Sequence, residues 1–108
     1  MKLWIDDVRP APKGYEWCKS VKEAKKKIIE CLTVGIKLQQ EPPLPLEILD
    51  IDHDAGDYYN DGGDFIEILK WFEKTKTPCP LIRIHSQNPV GIENMRRIIQ
   101  KNGWREIR

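Results

Sequence analysis

The sequence predicts a single α/β domain, residues 1–108, built around a parallel sheet. Short apolar segments with strand character alternate with segments whose apolar residues recur at helical spacing, and this alternation is typical of parallel sheets joined by right-handed crossovers. A chain of 108 residues is long enough for one hydrophobic core. Hydrophobic residues form 40% of the chain and charged residues 32%, so we expect an ordinary soluble globular protein and not a disordered one.

Five segments have the composition and boundaries of strands. Clusters of proline, glycine, aspartate and asparagine separate them and predict loops at residues 8–14, 39–45 and 55–63. The predicted strands are residues 2–6, 15–18, 46–52, 81–85 and 104–107.

Three helices are predicted between these strands. Ser20 and Glu23 form a capping-box pattern at the start of the first helix, which we expect to end before Gly35. Asp64 is the expected N-cap of the second helix, and Gly103 stands where a left-handed C′ glycine would end the third. The apolar positions that define them are Val21, Ala24, Ile28 and Leu32, then Phe65, Ile68, Leu69 and Phe72, and finally Ile92, Met95, Ile98 and Ile99.

Two charged residues inside predicted strands indicate that one face of the sheet is uncovered. A parallel strand with helices on both faces is apolar almost throughout, whereas Glu47 and Arg83 interrupt two central candidates. Either these two side chains pair across neighbouring strands, or both reach solvent. Both alternatives imply a face without helices, and we expect a second copy of the chain or a partner protein to hide it.

Three of the predicted strands end in polar, titratable residues, two of them with a histidine in the cluster. Open α/β sheets bind ligands at the carboxyl ends of their strands, so these residues predict one functional site. The clusters are DDVRP (residues 6–10), DIDHD (residues 50–54) and HSQNP (residues 85–89).

Four segments that include these clusters follow a single family pattern: LWIDDVRP (residues 3–10), DHDAG (52–56), GDF (63–65) and HSQNPVG (85–91). Together they resemble the cyclic-phosphate-processing receiver-like domain family, a divergent branch of the response-regulator receiver fold. The resemblance extends over nearly the whole chain, in order. It implies a reduced flavodoxin-like parallel sheet with strand order 2-1-3-4-5, helices mainly on one face, and an activity on cyclic phosphates such as 2′,3′-cyclic ends of RNA.

Receiver residues can be carried over by position. In receivers an acidic pair after the first strand holds Mg²⁺, and an aspartate at the end of the third strand is phosphorylated. Asp6 and Asp7 look like the acidic pair, Asp52 like the acceptor, and Ser86 or His85 stands in the Ser/Thr place.

The chain also departs from the receiver pattern. The first receiver helix is reduced to the 8–14 loop, the last helix has no counterpart, and no lysine ends the fifth strand. The two missing helices cover the same receiver face, which agrees with the uncovered face read from Glu47 and Arg83. Together with His53 and His85, which are not receiver residues, these departures favour a remodelled hydrolytic pocket over a plain phosphorylation switch.

Opening a cyclic phosphodiester requires a base, an acid and positive charge near the phosphate. His53 and His85 end neighbouring predicted strands and could supply acid and base, because imidazole titrates near neutral pH. Arg9 is the candidate phosphate clamp, and Ser86 and Asn88 could donate hydrogen bonds to phosphate oxygens. Alternatively, Asn88 serves only as a turn residue and helix cap.

A metal-assisted mechanism is equally compatible with the sequence. Asp6, Asp7, Asp52 and Asp54 would bring several carboxylates together, and such like charges are accommodated by a bound cation. Mg²⁺ or Mn²⁺ suits an oxygen-rich site and could polarise the phosphate or activate water. The two mechanisms can coexist.

These observations lead to two functional hypotheses. The first is a phosphoesterase that processes cyclic phosphate, with Asp52, His53 and His85 as catalytic residues and a nucleotide or RNA end as substrate. The second is a non-catalytic receiver-like module that binds Mg²⁺ or phosphate and acts through a protein partner.

Composition bears on the ligands and the cellular compartment expected for either function. A net charge of +1 gives no general affinity for nucleic acid, so an RNA ligand would need a local site. No apolar run approaches the length of a membrane span, and the first residues do not form a signal peptide. Three widely spaced cysteines match neither a zinc pattern nor a disulfide framework, which favours a cytoplasmic setting.

Overall fold

The structure, a computed structural model, describes residues 1–37 and 46–108. It contains one five-stranded sheet in the order β2-β1-β3-β4-β5, with every neighbouring pair parallel, as the sequence predicted. The strands are β1 (Lys2–Ile5), β2 (Glu16–Cys18), β3 (Ile48–Ile51), β4 (Leu81–Ile84) and β5 (Glu106–Ile107). The helices are α1 (Val21–Lys37), α2 (Ile66–Thr75) and α3 (Pro89–Lys101), and a 3₁₀ helix spans Gly56–Asp61.

The core lies on one face of the sheet. Alternate strand residues point to this face, and they are fully buried: Leu3, Ile5, Leu49, Ile51 and Ile82. The buried residues of all three helices join the same cluster, among them Val21, Ile68, Phe72 and Met95. All three helices therefore cover this face, which confirms that the helices lie mainly on one side.

No helix among the described residues covers the opposite face. Trp4 of β1, Asp50 of β3 and Arg83 of β4 stand side by side in register on this face. Glu47 does not pair with Arg83, because the register places Asp50 beside Arg83 and the N-terminal ammonium of Met1 lies 3.2 Å from a Glu47 carboxylate oxygen. Arg83 is exposed, so of the two alternatives the sequence left open for this residue, the solvent-facing one is correct.

The helix ends confirm two predictions. The Ser20 hydroxyl accepts a hydrogen bond from the Glu23 amide at 3.0 Å and caps α1. At the end of α3, Gly103 adopts a φ of +67°, and the Gly103 and Trp104 amides donate to the carbonyls of Gln100 and Ile99. This is the Schellman arrangement that a C′ glycine permits.

Three local predictions were wrong. Helix α1 continues through Gly35 to Lys37, because one glycine costs a helix only about 1 kcal/mol and does not by itself end it. Asp64 does not cap α2: the N-cap is Phe65, and the Asp64 carboxylate instead accepts the Ala55 amide at 3.1 Å. Residues 56–61, predicted as loop, form the 3₁₀ helix.

The strands are also shorter than predicted. The loop predicted at residues 39–45 lies outside the described residues. Cys18 and Cys79 are free thiols. Among the described residues, no helix combines the length and hydropathy needed to cross a membrane.

Candidate functional site

The carboxyl ends of β1, β3 and β4 meet because these strands are neighbours in the sheet. Backbone hydrogen bonds continue past the strands: the Asp52 amide donates to the Ile5 carbonyl at 2.9 Å, and the His85 amide donates to the Ile51 carbonyl at 3.0 Å. The sheet thus aligns the polar clusters that the sequence placed after these three strands.

An acidic cluster occupies the centre of this edge. Carboxylate oxygens of Asp6, Asp7 and Asp52 lie within 4.8 Å of one another. Asp6 is fully buried and Asp52 is 9% exposed. Gly56 backs the cluster, because a Cβ at this residue would overlap the Asp7 carboxylate, and its φ of +53° also favours glycine.

The surroundings of Asp7 and Asp6 shift the pKa values of these two carboxyl groups in opposite directions. Burial, together with the charges of Asp6 and Asp52, raises the pKa of Asp7 above its usual value. Burial acts in the same direction on Asp6, but the amides of Arg9 and Val8 and the ring of His85 outweigh it and lower the pKa of Asp6. Its surroundings therefore stabilise the anionic form of Asp6, whereas those of Asp7 disfavour its anionic form.

His85 is held between two aspartates. Its Nδ1 lies 2.6 Å from an oxygen of Asp50, and its Nε2 lies 3.0 Å from an oxygen of Asp6. The ring stacks on the indole of Trp4, with the ring centres 3.8 Å apart and the planes 5° from parallel. Both ring nitrogens are thus engaged, and the side chain is only 11% exposed.

Asp50 and Trp4 are site residues that the sequence analysis did not assign. Asp50 belongs to the DIDHD segment, but its position inside a strand gave it no role there. A carboxylate within an apolar strand, on the face away from the core, is the signal that could have identified it.

His53 belongs to a second group of side chains. Its Nδ1 lies 2.8 Å from an oxygen of Asp54, and the side-chain nitrogen of Asn88 donates to the same oxygen at 3.2 Å. The ring packs on Gly91 in the first turn of α3, where a Cβ would overlap it. Among the described residues, the Nε2 of His53 has no hydrogen-bond partner, which leaves it open to a ligand.

Asp54 therefore stands with His53 and not with the acidic cluster. Ligand atoms of Asp54, His53 and Asp64 lie within 4.8 Å of one another, separately from those of Asp6, Asp7 and Asp52. The hydrogen bond from His53 lowers the pKa of Asp54, although the partial burial of Asp54 acts in the opposite direction. The hydrogen bond from the Asn88 side chain lowers this pKa further. Of the four carboxylates proposed from the sequence as metal ligands, the structure brings three together.

The residues proposed to bind phosphate lie around these two groups. The Arg9 side chain is 45% exposed, and its Nε is 3.9 Å from an Asp6 oxygen. The Ser86 hydroxyl oxygen accepts a hydrogen bond from the backbone amide of Asn88 at 3.1 Å. The hydroxyl proton therefore remains free to be donated. Asn88 caps α3 through its side-chain oxygen, which accepts the Gly91 amide at 3.0 Å. The Asn88 side chain is thus committed to the cap and to Asp54.

Comparison with known proteins identifies a family for this chain. A family model described as the cyclic-phosphate processing receiver domain matches residues 1–101. Searches of the curated proteins and of the solved structures gave no match to the chain.

Proposed function

Because the chain belongs to the cyclic-phosphate processing receiver family, we propose that it is a phosphoesterase that hydrolyses cyclic phosphate, with 2′,3′-cyclic ends of RNA as the leading substrate class. The observation that carries the proposal is the His53–Asp54 pair, whose open imidazole nitrogen lies at the same sheet edge as the acidic cluster.

His53 is the proposed general base. When its Nδ1 carries the proton donated to Asp54, Nε2 has a free lone pair that can accept a proton from water. Asp54 fixes this tautomer and stabilises the imidazolium that forms, and Asn88 holds Asp54 in turn. Contact with Gly91 limits the movement of the ring.

The acidic cluster fits a divalent cation. Asp6, Asp7 and Asp52 offer three carboxylates in a small space. Burial and, after it, repulsion from Asp6 and Asp52 raise the pKa of Asp7, and a cation would relieve that repulsion. Oxygen ligands of this kind suit Mg²⁺ or Mn²⁺. When bound, such an ion would polarise the phosphate and stabilise the charge that develops on its oxygens.

Positive charge and hydrogen-bond donors for the phosphate come from the rim of the site. Arg9 is exposed enough to turn its guanidinium towards a phosphate, where two parallel hydrogen bonds are possible. The Ser86 hydroxyl can donate its proton, and the N-terminus of α3 adds a favourable dipole. We assign Asn88 to the orientation of Asp54, because its side-chain nitrogen donates to Asp54 while its side-chain oxygen caps α3.

The proposed reaction adds one water molecule to the cyclic ester. His53 takes a proton as the water oxygen bonds to phosphorus, and the bond from phosphorus to one ribose oxygen breaks. The leaving oxygen gains a proton, and the product is a phosphomonoester with a free hydroxyl group. His85 could give that proton only by releasing one of its two carboxylates, so His53, which returns the proton it took, is the simpler donor.

The acidic cluster also supports the second candidate, a receiver-like module without hydrolytic activity. Asp52 lies beside Asp6 and Asp7, as the phosphorylated aspartate of a receiver lies beside its acidic pair. In that case a partner protein would read the phosphorylated or metal-bound state.

Incubation with 2′,3′-cyclic AMP, with and without EDTA, tests the proposal by chromatography of the products. We expect turnover by the wild-type protein and a loss of roughly 10²-fold or more in His53→Ala, as is typical for a general base. Asp57→Asn, an exposed carboxylate on the 3₁₀ helix, is the control and should retain turnover. Absence of turnover together with stable labelling of Asp52 by acetyl phosphate would reject the phosphoesterase in favour of the receiver-like module.

A further inference from the structure

We propose that Asp50 is a positioning residue of this site, which acts through His85 to hold the Asp6 carboxylate in place. The test of this role by enzymatic turnover rests on the proposed phosphoesterase function, whereas its tests by metal binding and by NMR do not. Asp50 lies within β3, before the carboxyl end of the strand, and is only 3% exposed.

A continuous chain of hydrogen bonds joins Asp50 to the acidic cluster. One oxygen of Asp50 is 2.6 Å from Nδ1 of His85, and Nε2 of the same ring is 3.0 Å from one oxygen of Asp6. The other oxygen of Asp6 accepts the amides of Val8 and Arg9, both at 2.9 Å. Asp6 is thus held on one oxygen by its own loop and on the other by His85.

Trp4 completes the arrangement. It stands beside Asp50 in the β1–β3 register, and its indole stacks on His85. The indole N–H donates to the Arg9 carbonyl at 2.8 Å, which ties the ring to the loop that binds Asp6. Stacking limits the tilt of the His85 ring, while Asp50 limits its rotation in the plane.

The position of Asp50 argues for a role beyond stability. Taking a carboxylate out of water within a strand costs free energy, and an apolar residue of similar size would avoid that cost. Arg83, its register neighbour on β4, is exposed, and the hydrogen bond of Asp50 goes to His85. The buried carboxylate therefore serves the histidine, as carboxylates behind metal-site residues orient those residues elsewhere.

Two substitutions separate positioning from packing. Asp50→Leu has a similar volume but no acceptor for His85, whereas Asp50→Asn retains a side-chain oxygen that can accept from Nδ1. Arg83→Leu, next to Asp50 on the same face, controls for an altered sheet surface. Thermal melting of each variant verifies that it folds.

Three measurements follow on these proteins: Mn²⁺ titration by electron paramagnetic resonance, turnover of 2′,3′-cyclic AMP, and NMR of the histidine ring protons. In Asp50→Leu we expect Mn²⁺ affinity and kcat to fall by about 10- to 100-fold with little change in KM. The hydrogen-bonded Nδ1–H signal of His85 should be lost. Asp50→Asn should recover most of each property, and Arg83→Leu should match the wild type.

The outcomes distinguish this inference from the proposed function. Altered Mn²⁺ affinity and ring signal in a protein without turnover would support positioning and reject the phosphoesterase. Normal Mn²⁺ affinity and turnover in a folded Asp50→Leu would overturn positioning and leave the phosphoesterase intact. A wild-type protein that neither binds Mn²⁺ nor turns over the nucleotide would overturn both, since nothing would then depend on the placement of Asp6.

Discussion

Gly91 lies against the imidazole ring of His53, so closely that a Cβ at this residue would overlap the ring. The first turn of α3 thus forms one wall of the His53 site. The helix can lie this close to the proposed base because Gly91 has no side chain. Because Asn88 both caps this helix and holds Asp54, one short segment positions the base and its partner.

Gly91→Ala should therefore lower turnover by tenfold or more while leaving the fold intact. The added methyl group must displace His53, whereas the higher helix propensity of alanine, worth about 1 kcal/mol, acts in favour of stability. Turnover of 2′,3′-cyclic AMP and chemical denaturation measure the two effects separately. Val90→Ala, at the exposed neighbouring residue, is the control. Full turnover in Gly91→Ala would show that the position of His53 does not matter.

Gly56→Ala should weaken Mn²⁺ binding, because the new methyl group would overlap the Asp7 carboxylate. The substitution also strains the backbone, since φ is +53° at this residue. Gly14→Ala is a matched control: its φ is +91°, but no atom lies within 4 Å of the added Cβ. Both variants should lose about 1–2 kcal/mol of stability, and only Gly56→Ala should lose Mn²⁺ affinity. Equal Mn²⁺ affinities would show that Asp7 is not a ligand.

Ser20→Ala and Ser86→Ala should separate stability from activity. Loss of the α1 cap should cost about 1 kcal/mol of unfolding free energy in Ser20→Ala, with turnover unchanged. Ser86→Ala should instead lower turnover, because it removes a proposed phosphate donor, and it should affect stability less. Urea unfolding and steady-state kinetics on both proteins test this, and a reversed pattern would contradict the assignment of Ser86.

Cys18 and Cys79 should resist alkylation in the folded protein. Burial raises the pKa of each thiol to about 12 from a usual value of 9.0. At pH 8 the reactive thiolate is then roughly a thousandfold scarcer than in the unfolded chain, and it becomes abundant only as the pH approaches 12. Iodoacetamide labelling read by mass spectrometry, in buffer and in urea, measures the difference. Rapid labelling of either residue in the native protein would contradict the raised pKa of its thiol.

Much of the fold was readable from local sequence patterns. Helical spacing, the Ser20 cap and the Gly103 C′ position depend on residues close together in the chain, so the sequence shows them directly. The uncovered face was also readable, because Arg83 stands where a doubly covered strand would be apolar. The end of α1 and the N-cap of α2 were not, because Gly35 and Asp64 are ambiguous signals that the surrounding packing decides.

For the site, the sequence alone determined which residue types end β1, β3 and β4, and therefore that carboxylates and two histidines share one edge of the sheet. Only the tertiary structure decided how they divide, with Asp54 beside His53 and Asp6 beside His85. The physical reason is that strand alternation and helix packing direct neighbouring side chains to different faces. Which partner each side chain meets then depends on residues far away in the chain, such as Gly91 and Trp4.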